Sequence, residues 1–552
     1  MPSTRKLSRL ILSKGIKLDR DYRQVLSFTE TQMLELMLDS SHLVSSKNDY
    51  NFIKERGSIK VQETYSNCLK ANYMAFQNTE YSGKWFFAFI DDVKYLSDYA
   101  TEIYYTIDIW STWFDYWNPK SCYIIRQHAT SDGIGENLIP EKLEHGEYKE
   151  QEAYLDSTFG TPCYLLVTKT TIEATTPVTN YINMGGTIMN GQVYYAPSIS
   201  RLAYLIDHLK DNNPDNEVLY AYCVPNVLIP STSIDSYGQL SSWNSPYNDD
   251  KKVVSRPTTI DGYTPVNKKL LTYPYVYCLF SNLAGNSNVL RFEESGKISG
   301  GTGLENGAIY VKYWGVPSIG GSVVAIPRYY KDSALNLNYM LVLGKFPTLG
   351  WSEDAYTNWL TQNSVNNSIR KGIIGAQIIG GAGSLLLGAG LMASGVGAMA
   401  GTALLANGAS MLWSGGTNAV EVATEYYNHQ IEPDSFQGNT NAGDILMATG
   451  QMGFGFYTMT ITSYYARIID NYFTRFGYAQ NNIQYPNLLH RQNYNYIQIS
   501  KDSKACFGND HNNISIPADV LELINNIFRA GVTVWNNHTN FGDYSVTNGI
   551  TS

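Results

Sequence analysis

The sequence predicts a mainly β protein with some α, divided among several domains, and three observations carry that expectation. The chain has 552 residues, enough for roughly three or four domains. It holds 43 tyrosines within an aromatic share of 13%, and tyrosine, with threonine and the β-branched aliphatics, favours pleated, half-buried surfaces. Apolar and polar residues alternate with a period of two in its first part, the mark of strands with one covered face. A hydrophobic share of 43% supplies sizeable cores and excludes a globally disordered chain.

Residues 1–150 read as mostly β. Trp85-Phe86-Phe87-Ala88-Phe89-Ile90 is a continuous apolar run predicted as a central strand ended by Asp91-Asp92. From Ala100 to Trp110, Ile103, Tyr105, Ile107 and Ile109 share one strand face, with Glu102, Tyr104, Thr106 and Asp108 on the other. Asp132-Gly133-Ile134-Gly135 predicts a turn. Residues 150–262 are broken by prolines and read as an inserted domain with one helix, Ser200 to Lys210, carrying Leu202, Leu205, Ile206 and Leu209. Short strands return over 263–350, where Pro274 in Leu271–Tyr277 predicts a sheet edge or a strand start. A helix is predicted near Ser352, with Glu353 and Asp354 in its first turn and Ala355, Tyr356, Trp359 and Leu360 inward. Gly455 to Thr462 reads as a strand. Tyr465, Ile468, Ile469, Tyr472, Phe473 and Phe476 then follow helical spacing up to a stop at Gly477. A last helix runs from Pro517 to Ala530, with Val520, Leu523, Ile524, Ile527 and Phe528 inward and Gly531 ending it. No repeat of 20 to 50 residues is visible, which argues against a solenoid.

The net charge of −9 excludes a high-affinity nucleic-acid binder, which needs cations to neutralise phosphates, but suits a surface that nucleic acid slides past. Cys68, Cys122, Cys163, Cys223, Cys278 and Cys506 form no CxxC pair and no zinc spacing, so they read as reduced, buried thiols of a protein assembled in cytosol. Near Arg5, Lys6, Arg9 and Lys14 the apolar run Leu10-Ile11-Leu12 is too short for a secretion signal. No GxSxG, HExxH or GxxxxGK[ST] occurs. Asp91-Asp92, Asp249-Asp250 and Glu293-Glu294 are paired acids, but strand neighbours point to opposite faces and their surroundings read as solvated. His128 and His145 flank the 132–135 turn and read as surface or hydrogen-bonded histidines rather than ligands. The expectation is a non-enzyme without catalytic, cofactor or metal site.

Between Lys371 and Glu421 there is no Asp, Glu, Lys, Arg or His. This length covers two membrane spans of about 20 residues, with Gly395, Gly397 and Gly401 at the place to turn. Small residues recur every fourth position, as in Ala376, Gly380, Ser384 and Gly388, which lets helices approach closely in lipid. The predicted membrane-inserting residues are Ile373, Ile374, Ile378, Ile379, Leu385, Leu386, Leu387, Leu391, Met392, Leu404, Leu405, Met411, Leu412 and Trp413. Its Leu and Ile gain about 3–7 kcal/mol in total on insertion. Thirteen glycines oppose this, at about 1 kcal/mol each in a helix. Insertion by one chain is therefore marginal and suits a conditional, cooperative event. The competing readings are a buried helical hairpin and a dinucleotide loop at Gly395-x-Gly397-x-x-x-Gly401, the latter lacking the preceding strand it needs.

In family order, Lys84 to Tyr95 and Ile107-Asp108-Ile109-Trp110-Ser111-Thr112-Trp113 are followed by Ile134 to Glu141 with Gly146-Glu147-Tyr148. Next come Tyr263-Thr264-Pro265 through Leu270 to Tyr275, Phe346-Pro347, Asp354-Ala355-Tyr356-x-x-Trp359-Leu360, Ile468-Ile469-Asp470-x-Tyr472-Phe473 with Gly477-Tyr478, and Tyr485-Pro486-Asn487. With these the chain resembles the distal tail tube, or tail-knob, proteins of small short-tailed bacteriophages of the picovirus group. The resemblance implies a homo-hexameric, ring-shaped tube of two β-barrel-like domains per subunit, an inserted knob domain and a long apolar loop. Mapped here, it implies a first tube domain at 1–149, a knob at 150–262, and a second tube domain at 263–364 and 431–500. The loop falls at 365–430 and a C-terminal segment at 501–552. It further implies loops that plug the tube and then form a conduit through the host cell membrane. Other phage tail proteins would be partners, and viral double-stranded DNA would pass through the lumen without specific binding. The virion tail, and the host membrane during infection, would be its locations. Two alternatives stand beside it. A pore-forming toxin would share the apolar segment but normally carries an export signal. A receptor-binding or carbohydrate-active tail component would use the Tyr- and Trp-rich surface but leaves the apolar segment unexplained.

Overall fold

The computed structural model describes residues 9–48, 50–53, 57–77, 83–168, 181–184, 187–212, 218–229, 234, 238–240, 247–296, 304–318, 321–347, 452–501, 507–508 and 516–551. The predicted helix at Ser352 and the uncharged segment lie outside them. The protein is mainly β with some α, as its composition predicts. The chain divides into two compact units, one of residues 1–144, 265–270 and 464–552, the other of 145–264 and 271–463.

The first unit begins with β1 (Leu10–Ser13), β2 (Gln24–Leu26), α1 (Glu30–Leu38), β3 (Leu43–Lys47), β4 (Asn51–Ile53), β5 (Ser58–Val61), α2 (Tyr65–Cys68), β6 (Tyr73–Gln77), β7 (Trp85–Ser97), β8 (Ala100–Ile107), α3 (Ile109–Trp113), β9 (Asn118–Pro119) and β10 (Cys122–Gln127). Thr29 starts α1 with a capping box, its hydroxyl accepting from the Gln32 N–H while the Gln32 side chain reaches back. Seven strands form one sheet in the order β3-β1-β6-β7-β8-β5-β4. Its edge strands are near neighbours in sequence. Four Cα steps from Lys47 to Asn51 span at most about 14 Å, whereas a flat seven-stranded sheet is about 29 Å across. The sheet must therefore curl into an open half-barrel, and no ladder joins β3 to β4.

Both faces of this sheet are covered, so consecutive residues are buried and alternate ones join opposite clusters. Leu10, Leu12, Ile59, Val61, Met74, Phe76, Ala88 and Ile103 from five strands pack together on one face. Ile11, Tyr73, Ala75, Phe87 and Phe89 pack on the other against Met33 and Met37 of α1 and Trp535. Two expectations fail here. Asp91-Asp92 do not end β7: a register shift between Ile90 and Asp92 absorbs them and the strand continues to Ser97. The alternation at Ala100–Trp110 stops at Ile107, because Asp108 caps α3 by accepting the Ser111 N–H. Ile109 thus lies on a helix.

The second unit carries β11 (Tyr148–Asp156), β12 (Pro162–Thr168), β13 (Tyr181–Met184), β14 (Thr187–Asn190), β15 (Gln192–Ala196), α4 (Ile199–Asn212), β16 (Val218–Pro225), β17 (Tyr247–Ser255), β18 (Val276–Ser281), β19 (Ser287–Leu290), β20 (Ala308–Gly315), β21 (Val323–Tyr330), β22 (Ser333–Leu335), β23 (Leu341–Val342) and β24 (Phe454–Ile461). Its sheets are β11-β24-β18-β19, β15-β12-β16, β13-β14, and β17-β20-β21-β22 with β23 also on β21. Leu202, Leu205 and Ile206 of α4 bury against Leu166, Tyr194 and Val218 as their spacing predicts. β18 starts after Pro274 and lies inside its sheet, where Phe280 stacks on Phe456 of β24 at 4.9 Å.

The chain then completes the first unit with α5 (Ser463–Phe476), β25 (Tyr478–Gln484), β26 (Tyr494–Ile499), β27 (Phe507–Gly508), α6 (Ala518–Ala530) and β28 (Val532–Trp535). The order β2-β28-β26-β10-β25 makes a second sheet, in which β2 and β28 pair in parallel and tie residues 24–26 to 533–535. Ile124, Ile497, Ile499, Val532 and Val534 face Trp110 and the Ile524, Ile527 and Phe528 stripe of α6. Both predicted helical stripes are narrower than expected. Ile468 and Leu523 are exposed, and α5 buries Ala466, Ile469, Asp470 and Phe473.

Candidate assembly surfaces and a polar clamp

The residues expected to enter a membrane, Ile373 through Trp413, lie outside the described residues. Among the described residues no helix is long and apolar enough to cross a membrane. The paired acids are engaged structurally. Asp91 bridges Arg20 and accepts from Thr106 Oγ1, Asp250 pairs with Arg328, and Glu294 with Arg291 and Lys331. Glu293 corrects the solvated reading: it is buried, its carboxylate accepts the Tyr273 N–H, and burial raises its pKa. No group of three or more His, Cys, Asp or Glu among the described residues could hold a metal. Cys68, Cys122, Cys163, Cys223 and Cys278 are buried thiols outside any disulfide.

Two features of the first unit went unforeseen. One is a polar clamp on residues 266–269, the short stretch where the chain re-enters this unit. The Asp470 carboxylate accepts the Val266 N–H at 2.7 Å, the Asn267 N–H at 3.0 Å and Asn267 Nδ2 at 2.7 Å. Asp132 accepts the Lys268 N–H and the Tyr478 hydroxyl, and burial raises its pKa. Lys269 Nζ donates to Glu141 Oε1 at 2.5 Å and to the Ile139 carbonyl at 2.8 Å. Arg126 shares the other oxygen of Glu141 and donates to the Gly477 carbonyl at 2.7 Å. Tyr472 lies under Arg126, and Phe473 and Tyr478 flank Lys269, so aromatic faces help hold a buried trio with one surplus positive charge. The clamp can position backbone; it presents no nucleophile. Asp470→Asn turns one acceptor oxygen into a donor facing donors. It should cost about 2 kcal/mol in urea unfolding. A change below about 0.5 kcal/mol would remove the clamp's role.

The other feature is the β7–β8 hairpin. Its base is anchored by Lys84, which donates to the Thr112 carbonyl at 2.6 Å and lies over the Tyr116 ring at 3.3 Å and the Trp113 ring at 4.5 Å. Burial lowers the Lys84 pKa to about 7, partly offset by Glu30 and Asp115. β6 pairs with β7 only over Trp85–Phe89, so from Asp91 onward no described strand covers that side. The hairpin ends in Tyr95, Leu96, Asp98 and Tyr99, all exposed. The only sequence sign was the alternation resuming past the two acids at Val93 and Tyr95.

His128 is buried beneath α5 and β26. Its Nε2 faces the Thr474 carbonyl at 3.0 Å and its Nδ1 faces the Tyr496 N–H at 2.7 Å, which assigns the neutral Nε2–H form. His145 contacts the Gly146 carbonyl and the Tyr148 ring.

The family model for the C-terminal domain of the Bacillus phage phi29 tail knob protein gp9 matches residues 240–549, more than half of the chain. The chain belongs to the tail-knob protein family of short-tailed phages. The model for the Caudoviral major tail protein N-terminus matches residues 6–118, the stretch that builds the curled sheet. The tail knob protein gp9 of Bacillus phage B103 is 23% identical, over 97% of each chain. That of Bacillus phage phi29 is 23% identical over 89% of each, and that of Bacillus phage PZA 24% over 97% of each. The solved structure of the bacteriophage C1 tail knob protein, gp12, shares the fold, with a TM-score of 0.59 at 13% identity, covering 99% of this chain and 100% of that one. As a tail-knob protein this chain is a structural component of a virion tail and not an enzyme.

Proposed function

We propose that six copies of this tail-knob protein form the distal tail tube, and that their uncharged segments first plug its lumen and then enter the host cell membrane as a conduit for genome ejection. In this reading 1–149 and 263–364 with 431–500 are the tube domains, 150–262 is the knob, 365–430 is the loop, and 501–552 closes the chain. Viral DNA passes without specific binding, which the net charge of −9 favours, and neighbouring tail proteins flank the tube. One observation carries the membrane step: a stretch from Lys371 to Glu421 without a single ionisable side chain, in a chain of this family. Such a stretch left in water is an aggregation hazard, so an assembled particle must shelter it. Small residues at every fourth position then let copies pack together in lipid.

Deleting 372–420 tests this. The deleted protein should still assemble, because the described strands carry their own apolar faces, but should no longer release dye from liposomes under conditions where the intact protein does. Leu386→Asp with Leu405→Asp should act alike, since each central charge adds about 2.5–3.5 kcal/mol to a marginal insertion. Dye release that survives both changes places membrane entry elsewhere in the chain. A deleted protein that cannot fold makes the segment core.

A further inference from the structure

We propose that the β7–β8 tip of one copy docks on the β10–β25 margin of the next, forming a head-to-tail contact between two copies of this chain. The contact rests on the assembly reading above and names its surfaces. Tyr95, Leu96 and Tyr99 at the tip are 57%, 43% and 79% exposed, and Tyr65 packs edge-on to Tyr95 beside them at 6.2 Å. At the margin, Ile483 is 73% and Tyr485 66% exposed, and Tyr123 of β10 pairs directly with Ile483 across the ladder. Tyrosine-rich apolar clusters of this kind mark contact surfaces.

The two surfaces differ in charge. The tip turn Tyr95–Tyr99 contains Asp98 and no cation, and the strand leading to it exposes Asp91, Asp92 and Lys94, so the tip is negative overall. The strand ends at the margin, 118–125, 479–486 and 496–501, contain Lys120 and Lys501 and no carboxylate. β25 is also the terminal strand of its sheet, and Tyr478–Gln484 carries neither charge nor proline. Proteins usually blunt a free edge with those residues, as Asp91, Asp92 and Lys94 do on β7; on β25 the Glu141 carboxylate covers only the start, by accepting the Ala479 N–H, and the end at Asn482–Gln484, past the bulge at Asn481, is the part left for cover. Tip and margin belong to different sheets of one unit, and a contact between unlike patches propagates from copy to copy, the kind of contact that builds a ring when the rotation between copies closes.

Full-length Tyr99→Cys and Ile483→Cys proteins, mixed before assembly and oxidised, should give a disulfide-linked dimer that neither gives alone. Asp98→Lys should raise the concentration for half-assembly at least tenfold, and Lys120→Asp with Lys501→Asp in the same chain should restore it. Rings that form without the cross-link, or an Asp98→Lys protein that assembles as well as the parent, overturn this contact and leave the assembly reading standing. A parent protein that stays monomeric at every concentration tested sinks both.

Discussion

Gly477→Ala should be among the most damaging single-methyl changes in the protein, lowering the stability of the first unit by about 3–5 kcal/mol. Gly477 ends α5 with φ +64°, and its N–H closes on the Phe473 carbonyl at 2.8 Å. A side chain in that conformation costs roughly 1 kcal/mol by itself. The larger part is steric. A Cβ there would lie 2.3 Å from the Gln127 carbonyl oxygen and 2.4 Å from the His128 nitrogen, both backbone atoms of the segment leaving β10. Backbone cannot rotate away as a side chain can, so α5 or β10 must move, and the clamp's contacts with both move with them. Gly15→Ala separates the two causes. Its φ is similar at +69°, but the nearest atom to an added Cβ is 3.7 Å away on the His42 ring. Urea unfolding should show the conformational cost alone at Gly15 and a loss several times greater at Gly477. Equal losses would mean that α5 and β10 are not in backbone contact.

Gly477 also shows what could be read from the sequence. The i, i+3, i+4 spacing up to Phe476 and the glycine after it are local features, and the helix ends where they predict. The curled sheet was legible in part, because alternation over Thr101–Ile107 reports a covered face. Which strands meet was not, since β1 finds β6 and β3 through contacts set by the whole sheet. Asp91-Asp92 resemble a strand end only if strands are assumed straight; a bulge lets β7 carry both acids onward. Ile468 and Leu523 fit helical periods yet face outward, because a period fixes an angle and the neighbouring sheet fixes the width of the covered stripe. The clamp left no trace in periodicity: most of its residues fall in stretches that carry the family resemblance, but nothing in the sequence says that they meet. Val266 to Lys269 reads as a polar loop, and its partners Asp132, Glu141 and Asp470 are 128 to 204 residues away. The resemblance to tail-knob proteins supplied the family, while the surfaces that copies would use came only with the exposed tip and the uncharged edge of β25.

Acid should destabilise the first unit well above the pH at which carboxylates titrate, and His128 is the reason. Both ring nitrogens are committed: Nε2–H donates to Thr474, and Nδ1 accepts the Tyr496 N–H. A proton on Nδ1 would set two donors against each other, in a buried site beside the Arg491 guanidinium. Burial first, then Arg491, lowers the His128 pKa to about 3. The unfolded chain binds that proton near pH 6.5 and the native state does not, so the stability tied to His128 is intact above that pH and falls as pH drops toward 3. The loss is about 1.4 kcal/mol per pH unit, or roughly 2 kcal/mol by pH 5. Asp132, whose pKa burial raises, acts in the opposite direction, and Glu63, lowered to about 2 by its hydrogen bonds and Lys47, loses stability only below the ordinary glutamate range. His128→Gln isolates the histidine, because both carboxylates remain and the amide can still accept from Tyr496 and donate to Thr474. The variant should be about 1–2 kcal/mol less stable at pH 8, for its poorer fit. Its stability should then decline less steeply on acidification, so that the two urea-unfolding curves converge between pH 6.5 and 5. If they stay parallel across that range, His128 is already free to take a proton in the native state, and the donor-on-donor conflict is not what limits the unit in acid.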